Sequence, residues 1–405
     1  MILDNCRIFD GVSETVGAGR SIRVEDGLIR EIADRPLAGG EDRIDLGGRF
    51  VMPGLIDAHV HAYGSDGNLS NIDRTYPALR ALQARRILED MLARGFTTVR
   101  DAAGGDIALA IGTEQGLIRG PRFFYPGLAI SQTGGHGDPR APDHYPLCSC
   151  AYCGSATMVA DGVDEVRRAV REQLRRGAHQ IKLFVSGGVL TPSDPLWMNQ
   201  LSDEEIQAAV AEARSRRVYV MAHAHTNEAA LRCLRNGIRS IEHATILEED
   251  GARAIAATGD AFAVPTLVIT DVLSRRGPEL GLTPAMRAKA AEVARHALAS
   301  LDLLRTAGAR IGFGTDLVGD AMDQQAREFV LRADVCRPIE ILRSATSINA
   351  ALLQMEGRLG VIAPGAFADI IAVDGDPLAD IAVLGRPERT PFIMKGGEIF
   401  KNLVN

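Results

Sequence analysis

Four histidines stand where short apolar runs end. His59 and His61 close LIDAHVH, His223 closes VYVMAH, and His243 closes IRSIEH. Lys182 lies inside a similar run, QIKLFVS, and Asp316 ends RIGFGTD. Imidazole, carboxylate and amine are groups that hold divalent metals or move protons. In a strand, residues i and i+2 share a face, so His59 and His61 can both point at one ion. Each residue alone has a plainer use. An HxH in an apolar strand can be structural, a lysine can snorkel to an edge, and an aspartate can cap the next helix. Those uses do not explain why such residues recur at the same end of successive strands.

The elements that would position them follow from the apolar pattern. Eight strand candidates occupy 55–61, 96–102, 122–127, 180–186, 218–223, 238–243, 261–266 and 310–316, with helical stretches between them such as 75–94, 163–176 and 202–216. The stretch VDEVRRAVREQLRR repeats apolar residues at helical spacing, acidic at its start and basic at its end, as the helix dipole favours. Strands alternating with helices predict an α/β chain, a (β/α)8 barrel over 55–363. Barrel enzymes collect their sites at the C-terminal ends of strands, so the six side chains would meet at one mouth. The two chain ends read differently: CRIFDG, SIRVEDGLIREI and RIDLGGRFVMPG, then AFADIIAVDG and PFIMKGGEIFKN, alternate apolar and polar residues around Gly turns. Residues 1–54 and 364–405 are therefore expected to pair into one small β-sandwich domain.

The bulk numbers narrow the partners. The chain has 405 residues, 46% apolar and 24% charged, with a formal net charge of −7. An acidic chain without concentrated Lys/Arg is a poor general binder of nucleic acid or anionic membrane, so a small-molecule substrate is expected. The start, MILDNCRIFDG, lacks a basic stretch followed by an apolar one, and no run approaches the roughly 18 apolar residues of a spanning helix. Six cysteines are few for this length, which suits a reducing cytoplasm. His144, Cys148, Cys150 and Cys153 crowd one loop, where they form either a small structural zinc site or a set of reduced thiols.

The ordered motifs resemble the amidohydrolase superfamily. PGLIDAHVH matches its opening PGxIDxHxH, followed in order by Lys182 in IKLFVSGG, His223 in VMAHAH, His243 in SIEHAT and Asp316 in GFGTD. The tail RLGVIAPGAFADIIAVDGDPL is similar to that family's return into its β-domain, so the resemblance covers nearly the whole chain. TTVRDAAG and the TGGHGD loop resemble the imidazolonepropionase-related branch, which contains Xaa-Pro dipeptidases (prolidases) and related metallo-carboxypeptidases.

The resemblance implies a role for each residue. His59, His61 and Asp316 would hold one divalent metal ion, and His223 and His243 a second. Lys182, carboxylated by CO2, would bridge them as a carbamate. Nitrogen and oxygen donors without thiolate suit zinc. The implied reaction is hydrolysis of an amide or peptide bond, as in a dipeptide such as Xaa-Pro, by a hydroxide shared between the ions. Asp316 would act as base and then acid. His136 in the TGGHGD loop and His225, two residues after His223, are candidates on the substrate side. Many relatives have Tyr at the position of His225, which puts dipeptide specificity in question. A free substrate carboxylate would need a cation, for which Arg140, Arg100 and Arg122 are candidates. His179 and His296 read as exposed or packing residues. The alternatives are a hydrolase of non-peptide amides, carbamates or lactams with the same centre, a mononuclear deaminase, against which Lys182 counts, and a non-catalytic relative, in which eroded ligands would be expected. The extra β-domain and family habit suggest a homo-oligomer.

Overall fold

A computed structural model of the chain describes all residues except 40, 41, 68, 139, 141–155, 192 and 405. The cluster His144, Cys148, Cys150 and Cys153 lies outside the described residues.

The chain opens with five strands, β1 (Ile2–Ile8), β2 (Gly17–Glu25), β3 (Leu28–Ala33), β4 (Arg43–Asp45) and β5 (Phe50–Pro53). Nine follow in the middle: β6 (Leu55–Val60), β7 (Phe96–Asp101), β8 (Arg122–Phe124), β9 (Ala129–Ser131), β10 (Thr157–Val159), β11 (Gln180–Phe184), β12 (Tyr219–Thr226), β13 (Ser240–Ile246) and β14 (Phe262–Val264). The last three are β15 (Ile370–Val373), β16 (Phe392–Lys395) and β17 (Glu398–Asn402).

The two ends of the chain share one sheet, in the order β17-β16-β15-β5-β1-β2-β3 with β4 beside β1. Its register fixes β15 antiparallel on β5, Ile371 opposite Met52. One face buries Leu3, Ile22, Val51, Ile370 and Phe392 together. Each such side chain contributes roughly 1.5–3 kcal/mol when fully buried.

The middle strands form two parallel sheets, β6-β7-β8 and β10-β9-β11-β12-β13-β14. LIDAHV, FTTVRD and QIKLF are buried along their whole length. Unbroken burial is what a parallel sheet covered on both faces requires. Hydrogen bonds link the two sheets at both seams. Ala263 bridges Ile311 in parallel, and Ala58 N donates to Phe313 O at 2.8 Å, so the segment 310–316 runs between β14 and β6. Asn349 stitches this seam, its Nδ2 donating to Ile56 O and Phe313 O. At the other seam His179 N donates to Tyr125 O at 2.9 Å.

Helices cover the sheets as the pattern predicts. Val163–Arg175 begins with Asp164 and Glu165, ends on Arg175, and buries Val166, Ala169, Val170 and Leu174. That spacing gives one helical face, set against Ile181, Leu183 and Val220. Asp203–Ser215 starts in a capping box: Ser202 Oγ accepts from Glu205 N, and Glu205 Oε2 accepts from Ser202 N. Two expectations differ in detail. The candidate 122–127 is shorter, with β9 and β10 added after it in the second sheet. The candidate 310–316 is a mostly irregular segment, because Gly312 and Gly314 approach Asn349 and His59 too closely for a Cβ. No described helix is long and apolar enough to cross a membrane.

Candidate metal centre

His59, His61, Lys182, His223, His243, Asp316, His136 and His225 all line one cavity, at the C-terminal ends of the parallel strands. β6 brings in His59 and delivers His61 one residue beyond its end. His59 Nε2 lies 3.3 Å and His61 Nε2 2.8 Å from Asp316 Oδ1. One ligand atom from each of these three residues falls within 4.8 Å of the others. A divalent ion at about 2 Å from each donor would span such a group. The His243 ring lies 5.0 Å from that of His59 and 4.5 Å from that of His223. Lys182 is buried on β11, its Nζ 5.5 Å from the Phe184 ring centre.

Backbone strain helps the convergence. His243, Ala244 and Asp316 hold φ at +74°, +47° and +59°. A non-glycine residue in this region costs on the order of 1–3 kcal/mol, and such residues cluster at functional sites. The kink at His243 ends strict alternation on β13, so Glu242 and His243 both reach the interior.

Four of the rings have one nitrogen fixed from behind. His59 Nδ1 lies 2.6 Å from Glu242 Oε2, and Arg100 Nη2 donates to both oxygens of Glu242 at 2.9 and 3.0 Å. His243 Nδ1 meets Thr266 Oγ1 at 2.8 Å, and His225 Nδ1 meets Thr245 Oγ1 at 2.6 Å. His223 Nε2 faces Gly187 O at 3.2 Å. In each case the other nitrogen is left for the cavity, the usual way a protein fixes a ligating imidazole.

The charge states of His223, His243, Asp316 and Lys182 suit metal binding. Burial, with the surrounding imidazoles, drives His223 well below the usual imidazole range, and burial does the same for His243 against the pull of Asp316. Both rings are therefore neutral and carry a lone pair. Burial opposes charge on His59, yet Asp316 and Glu242 raise it. Burial would also raise Asp316, but His59 and His61 hold it well below the usual carboxylate range. Burial lowers the Lys182 amine to about 8, so a larger share is neutral and nucleophilic toward CO2. These donors fit a pair of divalent ions.

Glu242 and Asp57 are given no role by the sequence alone, and Arg100 takes a different one from that expected. Asp57, the acid of IDxHxH, accepts from His59 N, Thr315 N, Thr315 Oγ1 and Gln325 Nε2, tying β6 to the segment that carries Asp316. Arg100 is fully buried on Glu242 and is not among the described residues lining this cavity, so it does not serve as a carboxylate binder there. Nor does Arg122, because it lies 3.5 Å from Asp369 beside the terminal sheet. Arg140 pairs with Asp138 through both Nε and Nη2. His179 packs edge-on against Tyr125, and His296 is exposed on the helix Pro284–Ala307.

The profile of the Amidohydrolase family matches residues 50–400. A crystal structure of an amidohydrolase superposes with a TM-score of 0.97 at 44% identity, covering 100% of this chain and 99% of the other. A prolidase complexed with N-methylphosphonate-L-proline superposes with a TM-score of 0.96 at 42% identity, covering 99% of both chains. An ochratoxinase of Aspergillus niger is 33% identical over 364 residues, 87% of this chain and 75% of its own length.

Proposed function

Because the chain belongs to the amidohydrolase family and is a hydrolase acting on C–N bonds, we propose that it cleaves the peptide bond of a dipeptide such as Xaa-Pro at a binuclear metal centre. The observation that carries this reading is the meeting of His59, His61, Lys182, His223, His243 and Asp316 on one cavity. Two divalent ions there, zinc by donor type, would activate water at neutral pH and polarise the scissile carbonyl. Lys182, as its carbamate, would help to hold them.

The chain's own groups then handle the protons and the substrate. Asp316, ionised between His59 and His61, accepts the proton of the attacking water and delivers it to the departing nitrogen. Water's oxygen joins the carbonyl carbon, the C–N bond breaks, and an acid and an amine leave. Lys182 is the only Lys or Arg among the described cavity-lining residues, and 141–155 contain neither residue type. The imidazoles of His136 and His225 are thus the basic groups beside the ligand set that can meet the substrate, with the hydroxyls of Tyr63, Thr157 and Thr270 on the same cavity.

A second reading, a non-peptide amide, carbamate or lactam as substrate, is favoured by one feature. Val189, Leu190, Ile269, Leu273 and Val293 give the cavity an apolar patch, which would hold an apolar acyl group. The same proposal takes the parallel strands as a (β/α)8 barrel over 55–363, with 1–54 and 364–405 as a β-sandwich. It also takes the chain as a cytoplasmic homo-oligomer, in keeping with the free thiols of Cys6, Cys233 and Cys336.

A screen of Xaa-Pro and Xaa-Arg dipeptides and N-acyl amino acids, with elemental analysis of protein purified without chelator, tests this. Turnover of Xaa-Pro with about two divalent ions per chain is expected. Turnover confined to N-acyl compounds selects the second reading, and protein free of metal overturns both.

A further inference from the structure

His136 sits among groups whose hydrogens point one way. Its Nδ1 lies 2.7 Å from Thr191 Oγ1 and 3.1 Å from Asp194 Oδ2. Thr191 spends its hydroxyl hydrogen on Asp194 Oδ1, so Thr191 Oγ1 can only accept from His136. Asp194 is buried and faces donors alone: Gly188 N at 2.9 Å, Gln200 Nε2 at 3.3 Å and the Lys289 ammonium at 3.7 Å. Both neighbours therefore require a hydrogen on His136 Nδ1. Nε2 is the nitrogen left to the cavity.

The ring's place is fixed as tightly as its hydrogen. It stacks on His223 at 4.5 Å and meets Phe184 edge-on at 5.5 Å. On its remaining side a Cβ at Gly188 would fall 2.3 Å from Cε1 and 2.4 Å from Nε2, so only glycine leaves room. The segment carrying Gly188, Thr191 and Asp194 is anchored in turn by Lys289 on the helix Pro284–Ala307. Its Nζ donates to Thr191 O at 2.5 Å, to Asp194 O at 2.9 Å and to Gly188 O.

We propose that Asp194, anchored by Lys289, is a positioning residue that sets the tautomer and aim of His136, so that Nε2 faces the scissile amide. The proposal rests on the reading above in which His136 meets the substrate. Asp194→Asn places an NH2 where every neighbour is a donor, so the variant cannot keep the arrangement.

The test combines Asp194→Asn, His136→Gln, the double variant and Lys289→Met in the metal-loaded protein. The readouts are imidazole 15N NMR, kcat and KM for Leu-Pro, and metal content. Loss of a signal in His136→Gln assigns His136. Asp194→Asn should move that signal and lower kcat about tenfold to hundredfold, with KM changed less than about threefold and metal content unchanged. On the His136→Gln background it should add less than about twofold, because both changes remove one device. Lys289→Met should move the same signal less. An unmoved His136 signal, multiplying kcat losses, or full activity in His136→Gln overturns the proposal. Failure of the wild type on Leu-Pro sinks the dipeptide reading instead, and the NMR result still decides the positioning.

Discussion

The two halves of the candidate metal centre are built from opposite materials. On one side His59, His61 and Asp316 stand among charges, with the fully buried pair Glu242–Arg100 behind His59 and Asp57 beneath the backbone of His59 and Thr315. On the other, His223, His225 and His243 are backed by a carbonyl and two threonine hydroxyls. A buried charge must be matched or the fold suffers, whereas a neutral partner only orients. The first half should therefore be integral to folding, and the second tunable for metal and substrate.

The largest effect should come from breaking the charged half. Glu242→Ala leaves Arg100 buried without its carboxylate, which costs about 3–5 kcal/mol. Urea unfolding should show that loss, and the ion next to His59 should be lost with it. Glu242→Leu combined with Arg100→Met should regain most of the stability, since an apolar pair of similar bulk replaces the ions, without regaining tight metal binding. Recovery of both would mean that Glu242 does not orient His59.

What could be read from the sequence follows the same division. The converging residues were legible because strand period and the alternation of strands with helices put His59, His61, His223 and His243 toward one end, and Asp316 closes the last apolar run. Glu242 was not, because it adjoins His243. Strict alternation assigns neighbours to opposite faces, and only the left-handed backbone at His243 turns both inward. Arg100 looked available for a substrate carboxylate because its partner is 142 residues away. The short strands β9 and β10 escaped notice because three residues are too few to show a period. The segment 310–316 looked like a strand from its apolar run, whereas its glycines serve close approach to Asn349 and His59.

Acid should separate the halves next. Burial holds His225 at about 3 and keeps His223 and His243 well below the usual range. An unfolded imidazole takes its proton near 6.5. As pH falls through that value the unfolded chain binds protons that these three rings refuse, so stability drops. Burial would raise Glu242, but Arg100 and His59 hold it at about 2. Its contribution is complete above the ordinary carboxylate value and is lost only as pH falls from there toward 2. Burial raises Asp101 to about 6 and Glu328 to about 7, so these two take protons in the folded chain over the imidazole window and offset part of the loss there. The urea midpoint of chelator-treated protein should decline first between about pH 7 and 5, where three rings outweigh two carboxyls, then again below about 4.5. A flat midpoint from pH 7 to 5 would remove the distinction.

The smallest effect should come from the neutral half. Thr266→Val keeps the shape of the side chain and removes only the hydroxyl at His243 Nδ1. The ring then loses its fixed tautomer but not its place, because His223 and His225 still pack against it at 4.5 and 4.9 Å. Affinity for the ion on this side should weaken about tenfold, or about 1.4 kcal/mol, the lower end for a lost partner behind a metal ligand. The ion between His59, His61 and Asp316 should be unaffected, since no group behind those residues changes. Competition against a graded series of chelators would resolve two release steps, and only the step of the ion near His243 should move. Equal weakening of both would mean that the two halves act as one unit, with the bridge at Lys182 outweighing the difference in how each is built.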